Sequence, residues 1–170
     1  MLDWQTQKTW SDQYLTEIKG ILGVHLIGEP PREEDAERNT DLMVLRMDAV
    51  RIGCRVRRFT YLNTFGDEFT IRAGVISGAK TELTKVIEGW GDYFFYGFAN
   101  EDGTALAHWT LADMKVFRRT YSRMLAKADA GVFPGIGKVN KDGKTSFAAF
   151  KWSEFPAEFI VGQSAWGRAA

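Results

Sequence analysis

An α/β chain with a mixed sheet flanked by helices is what this 170-residue sequence predicts, on three observations. Segments of helical periodicity and of strand alternation interleave along it. The strand segments between residues 41 and 72 are joined by links too short for crossover helices, so they are expected to meander antiparallel. A helical segment then separates that meander from a further, aromatic strand, an order that suits a mixed sheet with helices on its faces.

The elements follow in order. From Trp10 to Leu22 the apolar residues Trp10, Tyr14, Leu15, Ile18, Ile21 and Leu22 recur at helical spacing, with Gly23 as a stop and Val24–Ile27 as a short strand. The stretch 28–39 has paired prolines and clustered acids without periodicity and reads as a loop. Asp41 then opens an apolar strand, Leu42–Leu45. The next strand, Arg51–Arg57, alternates with Ile52, Cys54 and Val56 on one face and Arg51, Gly53, Arg55 and Arg57 on the other. Guanidiniums arrayed on one strand face require water, an acidic neighbour or an anionic ligand.

An aromatic connection, 59–67, leads into the strand Glu68–Arg72. The helix expected over 80–90 carries Leu83, Val86, Ile87 and Trp90 on one stripe and places Lys80 and Thr81 at its start, where free N–H groups favour anions. The aromatic run at 92–98 suits a strand buried on both faces, with 105–109 as its hairpin partner across the turn at 100–104. Thr110 to Asp113 resembles a capping box opening a helix with Met114, Phe117, Tyr121, Met124 and Leu125 inward. Residues 131–138 read as loop, 141–144 as a hairpin turn, 146–152 as an added strand and 162–170 as a loose end.

Size and composition, with 45% hydrophobic and 14% aromatic residues, suit a single domain over 1–170, with a core at about 10–126 and a C-terminal extension at 127–170. Cationic and anionic side chains balance at 22 each, so any affinity for nucleic acid must come from a local patch. One cysteine excludes an intrachain disulfide and fits a reducing, cytoplasmic setting, and one cysteine with two histidines disfavours a zinc site. Cys54 reads as a small core residue rather than a reactive thiolate, which disfavours acyl transfer, as does the absence of a nucleophile–base pattern around His25 or His108. No basic-then-apolar leader and no apolar run of roughly 18 to 20 residues is present, so no membrane association is expected.

This order, together with Asp41 at the head of one strand and the Gly53–Arg57 stretch on the next, resembles the restriction-endonuclease-like superfamily with its PD-(D/E)XK motif and αβββαβ core. The resemblance covers about residues 10–98. It implies an acid at the start of the second core strand and an acid, a spacer and a lysine on the third. Those acids would hold Mg²⁺, which activates water at a phosphodiester. Asp41 matches the first position. At the second, either Gly53-Cys54-Arg55 or Arg55-Val56-Arg57 stands in place of acid-x-Lys, so a carboxylate is missing. Arginine, which keeps its proton, serves there as a phosphate ligand rather than a base.

A relocated acid is then required. Glu68 is the first candidate, with Glu17 and Asp48 as others, although a Glu beside arginines is more often a cross-strand ion pair. The resemblance thus implies Asp41 and Glu68 as metal ligands, Arg55 and Arg57 as catalytic charge stabilisers, and Arg51, Arg55, Arg57 and Lys80 as phosphate contacts on DNA or RNA. A homodimer would suit so small a nuclease. The expected function is a nuclease-like domain, Mg²⁺-dependent if it cuts. The alternative is an inactive member of the same fold that serves as a protein-interaction module.

Overall fold

The computed structural model describes residues 4–28, 43–44, 50–128, 134–140 and 143–165. The chain divides into two compact units, Met1–Ala49 and Val50–Ala170. Among the described residues no helix is long and apolar enough to cross a membrane.

In the first unit, α1 (Trp4–Asp12) and α2 (Leu15–Leu26) replace the single helix expected from Trp10 to Leu22. The break falls at residues 13–14, where Tyr14 turns inward and meets Trp10 edge-on, with ring centres 5.3 Å apart. Tyr14, Ile18 and Leu22 are buried at a spacing of four, which makes one helical stripe. Gly23 does not stop α2. A glycine stop needs left-handed backbone, and Gly23 is not among the glycines with positive φ. The helix therefore absorbs most of the expected strand, leaving β1 (Ile27–Gly28) to pair antiparallel with β2 (Met43–Val44). Asp41 and Asp48 lie outside the described residues.

Among the described residues, the second unit holds two sheets. One has the order β3-β5-β6-β9, from β3 (Ile52–Arg57), β5 (Tyr93–Ala99), β6 (Leu106–Asp113) and β9 (Ile160–Gln163). The other has the order β4-β8-β7, from β4 (Glu68–Val75), β8 (Thr145–Lys151) and β7 (Ile136–Val139). The antiparallel meander expected between the 51–57 and 68–72 segments does not form. The link between them is itself helical, a 3₁₀ turn at Phe59–Tyr61 and α3 (Leu62–Phe65), and it delivers β4 to the second sheet. There Phe69, Thr70 and Ile71 are buried in succession, so both faces of β4 are covered. Strand β3 pairs instead in parallel with β5, across a connection that contains α4 (Glu82–Ile87).

The β5–β6 hairpin forms as its sequence predicts, and Phe94 to Ala99 are buried without interruption. The helix after it starts later than the Thr110 signal. Residues 110–112 stay in β6 opposite Tyr96, Phe95 and Phe94, where all three are buried. Asp113 is the true cap of α5 (Met114–Lys127), its carboxylate accepting from the N–H groups of Lys115 and Val116 at 2.7 and 3.3 Å. Met114, Phe117 and Tyr121 are buried as expected, but Leu125 is exposed because it falls in the last turn, past the packed residues. Residues 162–163, expected to be loose, pair with β6 through Gly162 and Gln163.

Phe69 forms the centre of the core, within 6.1 Å of the rings of Phe117, Phe150, Phe155 and Phe159. Burying aromatic side chains of this size, each worth about 1.5–3 kcal/mol, fixes the two sheets and α5 around one another and makes a firm floor for the arginine strand.

Candidate anion-binding cavity

Register sets the arginines. Parallel pairing places Gly53 opposite Phe94, Arg55 opposite Tyr96 and Arg57 opposite Phe98, on the face of β5 that belongs to the aromatic core. The alternation expected for β3 holds, but its sidedness is only partly as expected. Val56 is buried, while Cys54, expected in the core, is exposed. Local burial of its sulfur nevertheless pushes the thiol above its ordinary value, away from reactive thiolate character.

Arg55 is anchored. Its Nη2 donates to Glu82 Oε2 in a close ion pair, and its Nη1 donates to the Thr70 carbonyl at 3.0 Å and to Thr70 Oγ1 at 3.2 Å. Glu82 Oε2 also accepts the backbone N–H of Arg72 at 3.0 Å. Arg57 donates to the Tyr96 hydroxyl at 3.4 Å and lies over the Tyr61 ring at 4.2 Å, a cation–π contact. Arg51 is exposed, with its guanidinium 6.0 Å from the Trp90 ring centre. Lys80 pairs with Glu88 at 2.7 Å on the surface. Glu68 heads β4 opposite Lys151, and the carboxylate that meets Arg55 is Glu82 instead.

Beside Arg55 a cavity of about 530 Å³ opens. Its apolar lining includes Val86, Trp90, Tyr93, Phe94 and Met114, and its charged lining is Arg55, Arg72, Lys80, Lys85 and Glu82. Of these cations Arg55 is engaged by Glu82 and Lys80 by Glu88, which leaves Arg72 and Lys85. Gly53 helps to keep the space open, since a Cβ there would lie 3.3 Å from Phe94 Cδ2. Among the described residues, the side chains of Arg72 and Lys85 have no acidic partner within ion-pair distance. Compared with protein-family models, with curated proteins and with solved structures, the chain gives no match to any of the three.

Of the residues expected at a site, Arg55 and Lys80 line this cavity, Arg51 reaches its Trp90 wall, and Arg57 sits one register step away in an aromatic clamp. Among the described residues no three His, Cys, Asp or Glu side chains converge as a metal-holding group. Sequence reasoning missed Glu82, Arg72 and Lys85. The signal for Glu82 was faint: it follows the cap Thr81, whose Oγ1 accepts from Thr84 N–H at 3.2 Å, but nothing local reveals that its carboxylate reaches back to β3.

Proposed function

We propose that this chain is a nuclease-like domain that contacts nucleic-acid phosphates through the cationic mouth of the cavity. The observation that carries this reading is the pair Arg72 and Lys85, two cations at one concavity without acidic partners among the described residues. Cations gathered without counter-charges cost self-repulsion, which a bound polyanion relieves. What supports the nuclease-like part is β3, the strand matched to the family's acid-x-Lys strand, which carries the Arg55-x-Arg57 pair. In the cutting form of this reading, Asp41 would be the first Mg²⁺ ligand, and the ion would supply an activated water at a phosphodiester.

The test is binding of labelled DNA and RNA oligonucleotides by the wild type and by R72A and K85A, beside a cleavage assay with Mg²⁺ or Mn²⁺ on the wild type and D41A. Weakened binding in both cationic variants is expected. Cleavage lost in D41A supports the hydrolytic form, and failure of the wild type to bind any oligonucleotide overturns the reading. A second, non-cleaving form is favoured by one observation: Arg55 pairs with Glu82, and that carboxylate, which also accepts the Arg72 N–H, serves structure.

A further inference from the structure

Trp90 is displayed in a way that the other aromatic residues of the cavity are not. Gly89 and Gly91 flank it with φ of 97° and 82°, backbone that side-chain-bearing residues rarely adopt. Its N–H donates to the Lys85 carbonyl at 3.0 Å, so the chain reverses tightly at the end of α4 and carries the indole out of the helix's apolar stripe. Trp90 is 61% exposed. Tyr93 and Phe94, on the same cavity wall, are half-buried and buried.

An exposed indole between cations suits a ligand that has both a flat apolar face and negative charge. Arg72, Lys80 and Lys85 share the lining with Trp90, and the Arg51 guanidinium lies 6.0 Å from its ring centre. A volume of about 530 Å³ falls in the range that holds one small ligand, roughly 300–1,000 Å³. Resting on the phosphate-binding reading above, we infer that the cavity takes one unpaired nucleotide of a single-stranded nucleic acid, its base stacked on Trp90 and its flanking phosphates on Arg72 and Lys85. A base within a duplex already has both faces stacked and must be extruded before an indole can cover one, whereas an unpaired base is available directly. Every base offers a π-face, so recognition here is of strandedness and not of sequence.

The experiment measures affinities for single strands of about eight nucleotides, one of DNA and one of RNA, and for the matching DNA duplex, with wild type, W90A and W90F. W90A is expected to lose about tenfold in single-strand affinity while its duplex affinity is unchanged, and W90F to recover most of the loss. A loss with either strand supports the inference, and the tighter of the two identifies the sugar. Single-strand binding that R72A weakens but W90A does not overturns this inference and leaves the phosphate reading standing. If no oligonucleotide binds, or if a phosphorylated peptide is held more tightly than any of them, both fall. Because Trp90 lies at the surface, W90A is expected to unfold at the wild-type urea concentration, which separates a binding defect from a folding one.

Discussion

Arg55 and Glu82 show how a single register decision assigns chemistry to a residue. Alternation along β3 marks Arg55 as sharing a face with Gly53 and Arg57, but only the parallel pairing with β5 puts that face over the aromatic core and brings Glu82 within reach. The Arg55 and Glu82 side chains are 26% and 33% exposed, so their ion pair is partly screened and its removal is discounted accordingly. For E82Q a stability loss of about 1–2 kcal/mol is expected by urea denaturation, since the amide still accepts one hydrogen bond but Arg55 loses its counter-charge. Oligonucleotide affinity is expected to rise in the same variant, because the carboxylate at the cavity is gone. Unchanged stability with weaker binding would show instead that Glu82 contacts the ligand. Arginine enrichment on β3 was legible from residue types alone. Its acidic partner was not, since Glu82 sits 27 positions away on a helix whose own pattern accounts for it.

Elements were legible where a single periodicity ruled them and illegible where two signals competed. The buried aromatic strand and its hairpin follow from the sequence because every residue from Phe94 to Ala99 is aromatic, alanine or glycine. Thr110 carried a capping signal, yet pairing with Tyr96 kept it in β6, and tertiary burial overrode the local preference. The end of the chain was misread because β9 is held by long-range bonds that no local pattern announces. Ser164 N–H donates to the Trp109 carbonyl at 3.0 Å, Trp109 N–H donates to Ser164 Oγ at 3.1 Å, and Ser164 Oγ lies 2.7 Å from His108 Nδ1.

Burial pushes His108 below its ordinary 6.5, so the native state takes up a proton less readily than the unfolded chain. Once pH falls below that ordinary value the unfolded chain binds the proton that the native state refuses, and stability is lost as acidity increases. Denaturation midpoints are therefore expected to drop between about pH 7.5 and about pH 5.5, and to drop less in H108Q. An equal fall in H108Q would assign the pH dependence to other groups.

At the scale of the whole molecule, the sequence's charge neutrality and the cavity's charge excess have to be held together. With 22 cations and 22 anions there is no net field to draw a polyanion from afar, and at physiological salt such fields fade within about 8 Å. Attraction must then come from short-range contact at the cavity mouth, and its signature is salt dependence rather than affinity alone. Each phosphate neutralised on a single strand releases condensed counterions and contributes about 0.7 to the slope of log affinity against log salt. R72A and K85A are each expected to reduce the magnitude of that slope by about 0.7, while R123A, on α5 and outside the cavity lining, leaves it unchanged. If all three variants share the wild-type slope, the bound strand does not touch these cations and the cavity is not where its phosphates lie. If R123A flattens the slope as much as the others do, binding is spread over α5 and the concavity has no special part in it.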